Sequence, residues 1–298
     1  GIAIGGVILC LRLRIPILLA WSTPGAALLT ASAPGTSWPV AIGAFLVAGA
    51  MMTGLGAVPA LSRLATRIPA SIASAMLAGV LLPFCLGLFR AGGQDPLLVF
   101  GLVAVFLVAR LRFPLYALLL VLVAGVLLTL LRGDITHLPD GAIFGTLTPI
   151  VPVLDGRALI SIALPLCLVT LVSQNLPGLV VLRSAGYRPE PGPLLVGTGV
   201  ATMATAPFGA LFVNLAAITA AICTGADAHP DRDRRWVVGL IYAGFYLVLA
   251  LFAPLLVRLF LTLPPSVITA LTGLAVIPAL IGALEAMLVV KDERDAAA

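Results

Sequence analysis

The sequence predicts an all-α polytopic membrane protein with inverted repeats, and its composition and apolar runs give the first evidence. Hydrophobic residues make up 61% of the 298 residues and charged residues only 10%, whereas soluble domains carry about 25% charged residues. Apolar runs near the length that one helical crossing needs, about 20 residues, alternate with short breaks that contain arginine. Stretches such as Leu118–Leu131 are apolar at nearly every position, which excludes the alternating pattern of a transmembrane β-barrel.

Reading these runs in order predicts about eleven crossings, with boundaries accurate to a few residues. The predicted segments are a helix tail at Gly1–Leu11, an interrupted span at Ile15–Ala31, and spans at Val40–Pro59, Ala70–Leu88, Leu97–Val108, Leu115–Leu131, Ala158–Leu182, Pro193–Thr205, Phe208–Cys223, Trp236–Val257 and Ser266–Val290. Because the chain opens inside an apolar run and ends on a charged segment, we expect a fragment that lacks helices at both ends.

The basic residues predict the orientation in the membrane. Alternating the loops places 13 of the 17 Lys and Arg residues on one side, which the positive-inside rule makes cytoplasmic. The net charge of +5 is then a property of cytoplasmic loops, and no nucleic-acid partner is expected. Residues 132–156 are predicted to form an extracytoplasmic loop.

An internal repeat connects the two halves of the chain. A shift of 195 residues matches Ala57–Leu64 to Phe252–Leu259 without a gap, and it also pairs Pro69 with Pro264 and Pro83 with Pro278. By the predicted spans, an odd number of crossings separates the two copies, so they have opposite orientations. Inverted repeats are typical of secondary transporters, in which the substrate binds near the midplane. A duplicated scaffold without transport activity is the alternative.

Two Gly/Pro-interrupted segments predict half-helices that begin inside the bilayer. In Trp21–Leu29, Pro24 suits the first turn of a helix, and Ser22 or Thr23 suits its cap. The residues Gly192–Cys223 number 32, fewer than the roughly 40 of two full crossings, so a second half-helix is predicted to begin at Pro207. Half-helix N-termini favour an anion, whereas two ordinary proline kinks are the alternative. The candidate binding residues here are Ser22, Thr23, Pro24, Gly25, Pro207, Phe208 and Gly209.

Amide side chains supply a third candidate cluster. Gln174 and Asn175 lie within Ser173–Gly178 in a long apolar stretch, and Asn214 follows the second interrupted segment. Such side chains at membrane depth usually face a cavity or the interior of the helix bundle. We predict that all three bind substrate, and hydrogen bonding between helices is the alternative.

Several kinds of chemistry are missing from these clusters. No carboxylate lies near them, which disfavours a cationic substrate or a carboxylate-bound sodium ion. Glu285 is the acid well inside a span; it either extends to the interface or takes part in proton coupling. The four cysteines lack metal-ligand spacing and are expected to be buried hydrophobic residues. There is no Ser/His/Asp set and no phosphate loop, so we expect neither an enzyme, a metal nor a cofactor.

Three segments closely resemble the benzoate membrane transport (BenE) family. They are Ala20–Leu29, Ser173–Gly178 and Asn214–Ile222, and the loop Gly225–Asp231 fits as well. The resemblance runs in order over essentially the whole chain. It implies benzoate/proton symport across a bacterial inner membrane.

The resemblance also implies a distant similarity to nucleobase transporters of the uracil permease type. Those proteins have two inverted sets of seven helices, with substrate between helices three, eight and ten. By analogy those helices are Ile15–Ala31, Ala158–Leu182 and Phe208–Cys223; residues 1–63 and 157–258 form a core domain, and residues 70–131 and 266–298 form a gate domain. Uracil permease carries glutamates in helices eight and ten. The matching neighbourhoods here offer Gln174 and Asn175, and Val213 beside Asn214, which leaves the proton-coupling residue unknown.

The sequence therefore predicts a proton-coupled importer of benzoate or a related aromatic carboxylate, working by alternating access. The predicted partners are that substrate, protons and the lipid bilayer, and the resemblance allows a homodimer. Gln174, Asn175 and Asn214 would hydrogen-bond the carboxylate, while Phe208 and Leu176 would flank the ring. A nucleobase or other organic-anion carrier, a channel and a scaffold that does not transport remain the alternatives.

Overall fold

The computed structural model describes residues 1–23, 25–26, 29, 36–60, 62, 70–134, 140–225 and 228–295. These residues are mostly helical, and the strands among them are two short segments of three residues each. Within this part of the chain, four helices are long and apolar enough to cross a membrane: Trp38–Ala57, Gly156–Ser184, Arg232–Leu251 and Pro265–Glu285. The prediction of an all-α polytopic membrane protein is confirmed.

The elements follow one another with short connections, apart from an extended stretch before Gly156. In chain order they are α1 (Ile2–Leu13), β1 (Leu19–Trp21), α2 (Trp38–Ala57), α3 (Ala70–Gln94), α4 (Pro96–Arg112), α5 (Ala117–Arg132), α6 (Gly156–Ser184), α7 (Pro191–Thr205), β2 (Val213–Leu215), α8 (Ala217–Cys223), α9 (Trp236–Leu251), α10 (Ala253–Leu261) and α11 (Pro265–Asp295).

The chain forms two compact units. The first comprises Gly1–Leu77, Thr146–Val248 and Met287–Ala298, and the second comprises Ala78–Gly145 and Leu249–Ala286. Both strands lie in the first unit.

Close packing of α2 against α7 forms the centre of the first unit. A Cβ atom on Gly56 would lie 2.6 Å from the backbone nitrogen of Val196 and 2.7 Å from the carbonyl oxygen of Gly192. Only glycine at this position lets the two backbones approach so closely. The fully buried side chains around this contact include Ile42, Phe45, Met52, Leu194 and Leu195.

Two π-helical turns widen α6, at Leu159–Ala163 and Leu171–Asn175. Each π turn ends two residues before a proline, Pro165 or Pro177. Proline lacks an N–H group and its ring collides with the preceding turn, so a locally widened helix accommodates it. The second widened turn contains Gln174 and Asn175.

In the second unit, α4 and α5 form a hairpin through a 3-10 turn at Pro114–Tyr116. Asp95 caps α4 by accepting a hydrogen bond from the Leu98 N–H at 3.3 Å, and its other oxygen lies 2.6 Å from Nη1 of Arg132. The hairpin and α11 share an apolar core, whose fully buried members include Leu98, Leu102, Val121, Val267 and Ala270.

The predicted span Trp236–Val257 is wrong at its C-terminal end, after Leu251. Helix α9 ends at Leu251, and a separate amphipathic helix α10 begins at Ala253. Pro254 lies in the first turn of α10, where its missing N–H has no helical partner to lose. The proline therefore marks a new helix and not the continuation of the span.

Candidate functional site

Strands β1 and β2 pair in the first unit, at the points where two apolar segments are interrupted. The pair is antiparallel, with Leu19 opposite Leu215, Ala20 opposite Asn214 and Trp21 opposite Val213. One further bond at each end, from Ser22 N–H to the Phe212 carbonyl (2.8 Å) and from Ala216 N–H to the Leu18 carbonyl (2.9 Å), extends it. Extended backbone inside an apolar protein leaves N–H and C=O groups at both edges, which need partners.

Two side chains supply those partners at the outer edge of β2. The N–H of Val213 donates to Oγ1 of Thr202 at 3.0 Å, and the N–H of Leu215 donates to Oδ1 of Asn175 at 2.9 Å. Both side chains are completely buried. Thr202 on α7 and Asn175 on α6 therefore take the place of a third strand.

The hydrogen bonds fix the orientation of both asparagine amides. Nδ2 of Asn214 donates to the Leu215 carbonyl at 2.9 Å; because that oxygen can only accept, Oδ1 of Asn214 must face away from it. In Asn175, Oδ1 faces the Leu215 N–H, and Nδ2 lies 3.6 Å from the sulfur of Met52. Oδ1 of Asn214 is buried, and no donor for it exists within the described ranges.

Ser22 caps the helix that follows β1. Its Oγ accepts the N–H of Gly25 at 3.0 Å and lies 2.8 Å from Oγ1 of Thr170 on α6. Of the two predicted caps, Ser22 therefore makes the bond, and Thr23 is the first helical residue. A Cβ on Gly25 would lie 2.5 Å from Cδ1 of Leu166, so this turn packs tightly on α6. Pro24 lies outside the described residues.

Gln174 differs from its neighbour Asn175. Its side chain is half-buried, and it has no hydrogen-bond partner in the part of the chain that the structure describes. Asn175 uses both ends of its amide inside the protein, whereas the Gln174 amide makes no hydrogen bond to another described residue.

The structure contradicts the half-helix predicted to begin at Pro207. Residues Ala206–Phe208 form a 3-10 turn that ends α7, and Gly209 has a left-handed conformation with φ of 80°. Its N–H donates to the Ala206 carbonyl at 2.8 Å, as in a helix C-terminus closed by glycine. Phe208 is 46% exposed.

The second half-helix is α8, which begins at Ala217 directly after β2. Four residues of extended chain, or five steps, separate Gly209 from Asn214, a distance of up to about 16 Å. The site therefore brings Ser22, Asn175 and Asn214 together around the strand pair. Gln174 precedes Asn175 in the same π turn of α6. Pro207, Phe208 and Gly209 lie at the end of α7 instead.

Sequence reasoning missed Thr170 and Thr202, both fully buried. A signal for Thr202 was present, since Thr198 and Thr202 are spaced four residues apart on one face of an otherwise apolar helix. The signal was weak because a helical threonine commonly bonds to the carbonyl four residues back, as Thr202 also does to Thr198 at 2.8 Å.

The chemistry of this site is that of neutral hydrogen-bonding groups. The segments β1, β2, α7 and Leu171–Asn175 contain no Asp, Glu, Lys, Arg or His. Glu285, the predicted coupling candidate, belongs to α11 in the second unit and is exposed. The site can therefore orient a small polar group by hydrogen bonds, without a fixed charge of its own.

Comparison with known proteins gives consistent results. The family description "BenE: Benzoate membrane transport protein" matches residues 1–298. The chain is 39% identical over 301 residues to the inner membrane protein YdcO of Escherichia coli strain K12, covering all of this chain and 76% of that protein. It is 34% identical over 297 residues to the benzoate membrane transport protein of Acinetobacter baylyi, covering all of this chain and 75% of that protein.

A solved structure with a similar fold is the transmembrane domain of a cyanobacterial bicarbonate transporter, BicA. The TM-score is 0.68 at 19% sequence identity, and the similarity covers 96% of this chain and 86% of that one. At this identity the similarity concerns the fold alone.

Proposed function

Since the chain belongs to the benzoate membrane transport (BenE) family, whose members are transporters and not enzymes, we propose that it imports benzoate or a related aromatic carboxylate together with a proton. It is a multi-pass membrane transporter of the bacterial inner membrane. The observation that carries the substrate proposal is the buried strand pair and the adjoining π turn, where the Asn214 acceptor and the Gln174 amide have no hydrogen-bond partner among the described residues.

The polar head of the substrate binds where β1 and β2 lead into their half-helices. Asn214 and Gln174 contact it directly. Asn175 and Ser22 have their hydrogen bonds inside the protein, so they hold the strands and the first half-helix in place. The aromatic ring lies against apolar side chains, as a mostly apolar site with a few polar groups requires.

The proposal includes inverted repeats, and the element bounds support them. Shifted by 195 residues, β1 falls on residues 214–216, within one residue of β2, and α2 falls on residues 233–252, over α9. The same shift places Pro83 inside α3 on Pro278 inside α11. We assign the first unit, which contains the site, to the transporting core and the second to the gate; the homodimer and the extracytoplasmic loop at 132–156 stay predictions.

Proton coupling follows from energetics. Import of a carboxylate anion alone works against the membrane potential, at about 2.3 kcal/mol per 100 mV. Entry of one proton with each anion removes that cost. No acidic residue of the site is needed for this stoichiometry.

Uptake of radiolabelled benzoate into proteoliposomes tests the proposal. We expect accumulation driven by an inward proton gradient, blocked by excess unlabelled benzoate, and above the leak into protein-free liposomes. Uptake independent of the gradient would remove the coupling and keep the substrate. The absence of any uptake above the leak, with the protein folded and inserted, would overturn the substrate assignment.

A further inference from the structure

The side-chain oxygen of Asn214 is a buried acceptor that lacks a donor. Asn214 is 1% exposed, and its Oδ1 has no hydrogen-bond partner among the described residues. The carbonyl of Leu215, 2.9 Å from Nδ2, fixes the amide so that oxygen and nitrogen cannot exchange places. A buried polar atom without a partner calls for an explanation, and what this atom lacks is a hydrogen-bond donor.

The described segments that pack most closely against β2 provide no charged side chain for an anion. Among the described residues, β2 packs mainly against β1, α7 and the π turn Leu171–Asn175, none of which contains an acidic or basic residue, and against Gly178 in the following turn of α6. The Tyr242 hydroxyl on α9 donates to the Leu19 carbonyl at 3.0 Å. The other ionisable groups on the described adjoining elements are the amino group of Gly1, which lies against Val213 on the face of β2 opposite Asn214, and the side chains of Cys10, Arg12, Arg157, Cys167, Arg183, Cys223 and Tyr246. Cysteine and tyrosine are ordinarily neutral at pH 7.

An ionised carboxylate fits this site poorly. Both of its oxygens are acceptors, as is Oδ1 of Asn214, so the groups would repel each other. The carboxylate would also be buried without a counter-charge, which is strongly unfavourable. A protonated carboxyl group has the complementary pattern of one O–H donor and one carbonyl acceptor.

We infer that this site binds its substrate as the neutral carboxylic acid, whose O–H donates to Oδ1 of Asn214. The inference rests on the proposed function and specifies the form of the substrate. Benzoate takes up one proton from water on the outer side, crosses as benzoic acid, and returns that proton to water on the cytoplasmic side. The amide of Gln174 donates to the carbonyl oxygen of the acid. One proton thus accompanies each substrate, and no protein group changes its protonation.

Binding of three ligands to the purified protein in lipid nanodiscs tests the inference. The ligands are benzoate, benzamide, which is neutral and keeps an N–H donor, and methyl benzoate, which is neutral and has no donor. Because a carboxyl group has a pKa of about 4, the neutral fraction of benzoate falls about tenfold for each pH unit above that value. The apparent Kd for total benzoate should therefore rise about tenfold per unit between roughly pH 5.5 and 7.5.

Benzamide should bind with a Kd that does not change over this range, and methyl benzoate should bind at least about tenfold more weakly, which is the value of one hydrogen bond. Asn214→Leu should weaken benzamide binding by about tenfold or more. Thr129→Val, at a buried threonine of the second unit, should leave binding unchanged. Glu285→Gln should preserve the pH dependence of benzoate binding.

The contrary results separate two failures. A Kd for benzoate that is constant across the pH range, with no binding of benzamide, would mean that the anion binds; the inference would be wrong and the proposed function would stand. No binding of any of the three ligands to folded wild-type protein would overturn the proposed function and the inference together. The wild-type series needs no variant, so it remains decisive if Asn214→Leu fails to fold.

Discussion

The side-chain oxygen of Asn175 accepts the backbone N–H of Leu215 at 2.9 Å, forty residues along the chain and wholly buried. This bond attaches the outer edge of β2 to the π turn of α6. Gln174, the preceding residue, makes no such bond within the described residues. The two adjacent amides therefore differ: the Asn175 amide holds the structure of the site, and we propose that the Gln174 amide binds substrate.

Substitution of these two residues should separate stability from binding. Asn175→Leu leaves the Leu215 N–H buried without an acceptor and should lower the free energy of unfolding by about 1–3 kcal/mol. Gln174→Leu should change the free energy of unfolding by less than about 0.5 kcal/mol while weakening benzoate binding. Denaturant unfolding and ligand binding measure the two effects. Equal losses of stability in both variants would contradict the assignment.

Thr202→Val should destabilise the protein although the side chains have nearly the same shape. The valine methyl cannot accept the Val213 N–H, which now bonds to Oγ1 at 3.0 Å, and an unpaired buried donor costs about 1–3 kcal/mol. Thr129→Val is the matched control. Its hydroxyl is equally buried and only donates to the Gly125 carbonyl, at 2.6 Å, so its loss should cost less than about 1 kcal/mol. Comparable unfolding midpoints for the two variants would show that Thr202 does not hold β2.

Ser22 and Thr170 should be energetically coupled. Ser22→Ala removes the cap on Gly25 N–H and should cost about 1 kcal/mol, and it also breaks the 2.8 Å bond to Thr170. A double-mutant cycle with Thr170→Val should give an interaction free energy of about 0.5–1.5 kcal/mol. Additive losses in thermal or denaturant unfolding would show that the contact contributes nothing.

The ion pair between Asp95 and Arg132 should make stability depend on pH in the acid range. A hydrogen bond from Arg132 lowers the pKa of Asp95. A carboxyl group whose pKa is lower in the folded state stabilises the protein at pH values above its ordinary pKa of about 4. This stabilisation is lost as the pH falls through the lowered pKa. Asp95→Asn should therefore reduce the Tm at pH 7, and the difference from wild type should shrink below about pH 4. A difference that stays constant on acidification would exclude the ion pair as its cause.

The elements that could be predicted best are those whose conformation is determined by the residues of the element itself. Long apolar runs in a chain with 10% charged residues form helices because a bilayer leaves the backbone few alternatives. The position before Pro24 and Gly25 identified Ser22 or Thr23 as a helix cap, and the hydrogen bond from the Gly25 N–H assigns the cap to Ser22. The strand β1 lies inside the interrupted span predicted at Ile15–Ala31.

The parts that could not be predicted depend on contacts between distant residues. Pro207 is compatible with the first turn of a helix and with the 3-10 turn that closes one, and pairing of β2 with β1 decides between them. Thr170 has no distinctive sequence pattern and Thr202 only the weak one of its spacing from Thr198, because their partners lie on other elements or on a strand that was not predicted. Asn175 was identified as polar and buried, but its task as a strand cap emerged only from the fold.

The contact between Gly178 and Leu215 provides a final test of how β2 is positioned. A Cβ on Gly178 would lie 2.6 Å from Cβ of Leu215 and 3.2 Å from its Cδ1, closer than unstrained carbon atoms approach. Gly178→Ala should therefore push β2 away from α6 and cost about 1–3 kcal/mol, with weaker benzoate binding because Asn214 shares the strand. Leu215→Ala would remove Cδ1 and leave Cβ, so Gly178→Ala should cost less in a Leu215→Ala background than in the wild type, and less again in a Leu215→Gly background. The free energy of unfolding and the benzoate affinity are measured for each single and double variant. If the losses in the single variants simply add up in the double variants, the strain does not come from this contact.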